Sequence, residues 1–253
     1  MSSRLAGAAL AALMLTIACP AWAARPFNTD DARIVEPGGY QVESYVKALR
    51  DPRATEFWLL PAHNFGGMLD RMEWTLGGSL TRSDDLGNSN QVLFQVKTLL
   101  KSLPGNGIGF AVTVGATRLK PGSVPVIETP FAPAVVVSDQ PSTESRINPF
   151  VNLISSVSVA DGQFVFHFNG GATRDTYDDT TQRSWGVGAE LFGLMRVYPI
   201  AEFYGVSGEK PATQVGLRAW VIPDKWQIDG TMGWQSAEPQ SRRWVSLGVR
   251  ILW

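Results

Sequence analysis

The chain lacks most of what soluble enzymes and metal sites are built from. One of its 253 residues is cysteine and two are histidine. Cys19 falls in a stretch expected to be removed, so the mature chain has no thiol for a disulfide, a nucleophile or zinc. A lipoprotein signal is disfavoured too, because Thr16 replaces the expected Leu three residues earlier and Pro20 follows directly. Charged residues make up only 18%, and 22 basic against 23 acidic residues leave no excess that would attract nucleic acid. There is no phosphate loop, zinc spacing or dinucleotide fingerprint, and no metal or cofactor is expected. Beyond the first segment no stretch carries a helical period.

That first segment reads as a secretory signal. Arg4 gives a basic start, 5–17 is an apolar run, and Ala21-Trp22-Ala23 offers small residues where a signal peptidase reads them. The run is too short to span a bilayer as a helix. Cleavage is expected after Ala23, giving a signal peptide over 1–23, a periplasmic N-terminal segment over 24–39 and a sheet over 40–253.

What the chain does have is 25 Gly, 9 Trp and 44% hydrophobic residues, arranged with period two. Alternation broken by Gly, Pro, Asn and Asp predicts twelve strands. They fall near 40–49, 54–63, 68–81, 90–102, 107–118, 147–159, 163–174, 184–195, 196–205, 212–222, 225–235 and 243–253. The connections alternate. Tight ones such as Pro104-Gly105-Asn106, Ala160-Asp161-Gly162 and Pro223-Asp224 follow even strands. Longer polar ones, the longest over 119–146, follow most odd strands. Outer-membrane barrels have this asymmetry between periplasmic turns and external loops.

The strand faces carry the same message. Val245, Leu247, Val249, Ile251 and Trp253 share one face of the last strand, opposite Ser246, Gly248 and Arg250. One self-consistent apolar face, free of charge at mid-height, runs through all twelve strands. Only a closed sheet satisfies every backbone group in a bilayer. The expected fold is therefore all-β: an antiparallel transmembrane β-barrel of the outer membrane with about twelve strands. Tyr40, Phe164, Trp226 and Trp253 at one end, with Trp185, Phe203 and Trp234 at the other, are placed as interfacial girdles. Trp253, ending an alternating strand, is the expected signal to the outer-membrane assembly machinery. Membrane lipid and lipopolysaccharide are the other expected partners.

The opposite face collects the charges. Glu43, Glu56, Glu73, Glu190, Glu202 and Asp229 oppose Lys47, Arg71, Lys97, Lys101, Arg218 and Arg250. Ten residues are the lumen-lining candidates for contact with a solute: Glu43, Lys47, Glu73, Lys97, His167, Glu190, Glu202, Arg218, Asp229 and Arg250. Balanced signs fit either a weakly selective aqueous pore or pairing across a narrow, nearly filled lumen. A pair between Arg250 and Asp229 is one such option. Inward glycines, among them Gly77, Gly186, Gly188 and Gly216, either leave room or bend strands. The first mature residues, 25–39, either enter the lumen and restrict it or form a loose tail with a turn at Pro37-Gly38-Gly39. His167, with Asn169 and with Ser156 and Ser158 on the preceding strand, is the nearest approach to a hydrolase constellation, but it points inward, so no enzyme is expected. Asp175, Asp178 and Asp179 read as a solvated acidic loop.

Three stretches, 25–33, Ile200-Ala-Glu-Phe-Tyr-Gly205 and Gln214-Val-Gly-Leu-Arg-Ala-Trp220 with Pro223-Asp and Gln227-Ile-Asp beyond it, resemble the putative outer-membrane proteins named for the phenol meta-cleavage pathway. The resemblance covers most of the mature chain. It implies passage of aromatic or other small hydrophobic compounds and assigns no catalytic residues. The expected function is a passive channel for small solutes. The alternative is a non-conducting structural or binding barrel.

Overall fold

A computed structural model describes residues 27–50, 53–83, 88–120, 145–176, 179–192, 196–236 and 242–253. The expected signal peptide and most of the long 119–146 connection lie outside the described residues.

Twelve strands form one closed antiparallel barrel: β1 (Tyr40–Leu49), β2 (Ala54–His63), β3 (Met72–Ser83), β4 (Ser89–Lys101), β5 (Gly107–Lys120), β6 (Arg146–Val159), β7 (Phe164–Asp175), β8 (Thr180–Leu191), β9 (Val197–Val206), β10 (Ala212–Ile222), β11 (Trp226–Gln235) and β12 (Arg242–Leu252). Each pairs with its sequence neighbours, and β12 returns to β1 in a ladder from Gln41 opposite Leu252 to Leu49 opposite Trp244. Closure removes both sheet edges.

Two strands differ from the sequence expectation by four residues at one or both ends, the others by two at most. Residues 67–69 form a 3-10 turn, Gly67–Leu69, and β3 starts at Met72. Gly66 and Gly67 take left-handed φ values of 67° and 60° there, which an extended strand does not allow. Strand β8 occupies Thr180–Leu191 rather than 184–195. Its first four residues, Thr180, Thr181, Gln182 and Arg183, carry no apolar alternation. Ladder pairing with β7, Asp175 opposite Thr180 through Thr173 opposite Gln182, makes them strand. That extension also corrects the reading of the acidic loop. Asp175 is inward and buried beside Arg146 at 3.9 Å, and Asp179 pairs with Arg174; Asp178 lies outside the described residues.

The faces follow the alternation. Phe164, Phe166 and Phe168, Trp226, Ile228, Met232 and Trp234, and Val245, Leu247 and Ile251 are all exposed on the outside. Such a surface is stable only against hydrocarbon. Both girdles point outward as expected, with Tyr40 and Trp253 stacked at 6.0 Å. Mutual backbone bonds between Tyr40 and Trp253 close the barrel at that end.

Candidate functional site: a lumen threaded by the N-terminal segment

The interior of the barrel is polar because every second residue of each strand points there. The ten candidate residues, Glu43, Lys47, Glu73, Lys97, His167, Glu190, Glu202, Arg218, Asp229 and Arg250, are all buried on the inward face. Arg71 and Lys101 are corrected: both are exposed at the rim beside the chain termini. Arg71 precedes β3, where its Nη1 donates to Leu100 O, and an irregularity between Leu99 and Lys101 ends the alternation of β4.

Residues 27–37 occupy this interior. The loose-tail reading of the segment does not hold, although the turn at Pro37-Gly38-Gly39 does: Gly39 N donates to Glu36 O at 2.8 Å and Gly38 has a φ of 79°. Lumen side chains bind the segment backbone in succession. Glu202 on β9 accepts the N–H of Asn28 at 2.9 Å and of Thr29 at 2.8 Å. Asn169 on β7 accepts from Asp30 N at 2.7 Å and donates to Asp30 O at 2.9 Å, matching both polar groups of one residue. Ser156 Oγ on β6 accepts from Ala32 N at 2.8 Å, and Glu73 on β3 accepts from Val35 N at 2.8 Å. Asn64, in the β2–β3 turn, donates to Val35 O at 2.9 Å where the segment leaves. A buried stretch of irregular chain needs such partners for its backbone.

Charge holds the middle of the segment. Lys97 Nζ on β4 donates to Asp30 Oδ1 at 2.9 Å and to Asp31 Oδ1 at 3.1 Å. Burial raises the Asp31 carboxyl, but Lys97 and then Arg33 outweigh it and hold the group well below the usual carboxylate range.

The segment also fits by shape. Hypothetical Cβ atoms on Gly186 and Gly188 would lie 2.8 Å from Thr29 Oγ1 and 3.3 Å from Thr29 Cβ, so these two glycines make room for it. Gly77 and Gly216 do the other job. A Cβ there would meet neighbouring-strand carbonyl oxygens, Leu59 O and Gly230 O, at 2.3 Å each, so bareness lets the strands approach.

The remaining charges pair within the wall. Arg218 on β10 bonds Glu190 on β8 and lies 3.4 Å from Asp229 on β11, with Phe27 of the segment under its guanidinium at 5.2 Å. Arg250 on β12 faces Gln41 and Glu43 on β1, with Glu43 at 3.5 Å. The option of an Arg250–Asp229 pair is corrected: register sets Asp229 opposite Arg218 and Gly248, and Arg250 opposite Gln227 and Glu43. Lys47 caps the Trp244 ring at 4.5 Å. Where the segment lies, the charges pair across a nearly filled lumen; towards the external end the inward Leu49, Ala54, Gln235 and Trp244 border a wider cavity. Beside Lys97, Glu43 and Arg250 the packing leaves a cavity of about 20 Å³, room for roughly one water.

His167 Nδ1 and Ser156 Oγ are 2.8 Å apart, but Ser156 already accepts from Ala32 and the pair lies deep in the lumen. Towards the opposite, external end the lumen wall turns aromatic: Tyr45, Trp58 and Phe150 cluster with Leu60 and Leu93, and Tyr204 and Trp244 with Leu49. Sequence reasoning set Trp244 on the inward face of the last strand but missed the other rings as lumen wall because it sought aromatics on the lipid face. Strand parity alone would have found them.

A closed twelve-stranded antiparallel barrel with an apolar outer belt and a polar lumen defines the class: a transmembrane β-barrel of the outer-membrane type. Its fold resembles that of solved porins. The KdgM porin in complex with disordered oligogalacturonate superposes with a TM-score of 0.53 at 12% identity, over 83% of this chain and 98% of that one. The NanC porin gives 0.54 at 10% identity with the same coverage. These likenesses define the fold alone. No protein-family model matches the sequence, and no curated protein matches it either.

Proposed function

We propose that the chain is an outer-membrane channel for small solutes, held closed by its own N-terminal segment. The observation that carries this reading is the nature of the filling. The lumen is not filled by the side chains of its own wall alone, as that of a small eight-stranded barrel is. It holds a separate length of chain bound through polar and ionic contacts, and withdrawal of that segment leaves a passage lined by Glu73, Lys97, Glu190, Glu202 and Arg218. Such contacts exchange for water at small net cost, unlike a hydrophobic core.

The inward rings Tyr45, Trp58, Phe150, Tyr204 and Trp244 support small aromatic or hydrophobic solutes as the cargo, since flat rings stack on them favourably. The resemblance to the phenol meta-cleavage outer-membrane proteins supports the same class. One observation favours the second reading, a non-conducting barrel: beside the docked segment, around Lys97, the packing leaves a cavity of only about 20 Å³, too small for a solute.

Planar-bilayer recording and liposome swelling separate the two. The full chain and a variant carrying Lys97→Met and Glu202→Gln are compared with aromatic acids, amino acids, sugars and oligogalacturonate as solutes. A channel shows larger or more frequent openings in the variant and faster swelling with aromatic acids. Silence of both proteins, each correctly folded, assigns the barrel to the non-conducting class.

A further inference from the structure

At the external end the outward face of the strands carries charge of only one sign among the described residues. Among the described residues Arg82, Arg118, Arg174, Arg183 and Arg243 are outward strand residues, and all lie at the external end, opposite the chain termini. No outward strand residue there is acidic. At the other end the turns mix signs, with Asp70, Asp161 and Asp224 beside Arg71 and Lys225. The external turns hold the acidic Asp179 and Glu209, with Asp179 paired to Arg174, so the basic excess is local to one sector of this rim.

The charge is densest where β12, β1, β2 and β3 meet. Arg50 follows β1, and its N–H donates to Arg243 O on β12 at 2.9 Å. Arg53 precedes β2, and its carbonyl accepts from Ser83 Oγ on β3 at 2.7 Å, while Arg82 stands opposite Thr55. All four arginines border one open cavity of about 1270 Å³. No acidic residue lines it among the described residues; Asp51, Asp84, Asp85 and Glu238 lie outside them. The cavity is also bordered by the inward Leu49, Ala54, Ser83, Gln235 and Trp244, so it opens over the rim onto the lumen mouth, and on the outer side the rim stands above Met232, Trp234 and Val245, which continue into Leu247 and Val46 of the lipid-facing belt.

We propose that this notch binds a phosphorylated glycolipid of the outer leaflet, with its phosphates on Arg50, Arg53, Arg82 and Arg243 and its acyl chains along Val245, Leu247 and Val46. Guanidinium groups match phosphate in a bidentate way. The belt beneath supplies the apolar half of an amphiphile, which distinguishes a lipid from a free phosphate. Arg82, Arg243 and the belt beneath them face outward, so the lipid contact holds whether or not the lumen conducts.

The test is native mass spectrometry and detergent-micelle binding of the full chain with lipid A, dephosphorylated lipid A, phosphatidylglycerol and inorganic phosphate as probes. The variants are Arg50→Gln/Arg53→Gln/Arg82→Gln/Arg243→Gln together and each alone. Arg118→Gln/Arg183→Gln serves as a rim control. The expected result is retention of lipid A by the wild type, weakened at least about tenfold in the quadruple variant and little in the control. Loss of the phosphates from lipid A should weaken it similarly. Equal loss in the rim control reduces the effect to general electrostatics and overturns the site, as does indifference to dephosphorylation. Binding of inorganic phosphate without lipid A retention also overturns it. Gel migration with and without boiling verifies that each variant is a folded barrel, and the single variants carry the test if the quadruple one does not assemble.

Discussion

Lys97 donates to an Asp30 carboxylate oxygen across 2.9 Å, joining the middle of β4 to a segment that precedes the first strand. Asp31 shares the same ammonium and also faces Arg33 at 3.8 Å, so one lysine bridges two acids of the docked segment.

Replacement of Lys97 by Met therefore undocks the segment while the barrel stays folded. Breaking a buried pair by removing one partner costs about 3–5 kcal/mol when the other charge stays buried. Here the stranded acids escape by leaving the lumen with their segment. The expected outcome is a barrel that still shifts on unboiled gels, with new protease cleavage near residues 27–37. An intact segment in the variant would show that the backbone contacts with Glu202, Asn169 and Ser156 suffice.

Acid should act on the same contact. The Asp31 carboxyl sits below its ordinary value of 3.8 when docked and returns to it when released. A lowered folded value contributes stability that is complete above the released value and is lost as pH falls beneath it. The contribution of Asp31 to docking should thus be complete down to about pH 4 and be lost at lower pH, a loss that Asp31→Asn abolishes. Protease accessibility of the segment against pH checks this; weakening on the alkaline side would contradict the assignment to Asp31.

Adjacent residues of β12 provide a test of inside and outside. Val249 faces lipid and Arg250 is buried in the lumen beside Glu43 and Gln41. Val249→Arg near the membrane midplane should cost about 2–4 kcal/mol of barrel stability. Arg250→Ala leaves Glu43 without its 3.5 Å neighbour but puts no charge into the hydrocarbon, and should lower stability by less. Urea unfolding in lipid vesicles ranks the two, and the reverse order would mean that the faces are exchanged.

Trp253 bridges the closing seam. Its ring stacks on Tyr40 at 6.0 Å, and Tyr40 stacks on His63 at 3.9 Å. Trp253→Ala keeps the backbone bonds but removes the stack, worth about 0.5–1.5 kcal/mol. Folded protein in the outer-membrane fraction should fall more than total protein does. Unchanged assembly would show that the terminal ring serves neither closure nor the assembly machinery.

Much of this molecule was legible in the chain itself. Period two fixes which residues face lipid and which face inward, because successive strand residues point to opposite sides whatever their neighbours are. All ten lumen candidates and both girdles followed from that rule. β1 and β2 matched to the residue because Pro, Asp and Gly bound them sharply. The start of β8 did not, since Thr180–Arg183 becomes strand only by pairing with β7.

Only the tertiary structure decided what fills the lumen. The residues of 27–37 carry no period, and their bonds to Glu202, Asn169, Ser156, Glu73 and Lys97 span sequence separations of 38 to 174. No local pattern encodes such distances. Register decided the ion pairs as well, setting Asp229 against Arg218 rather than Arg250. Alternation says which side a charge lies on. Which opposite charge it meets depends on how the ring of strands closes.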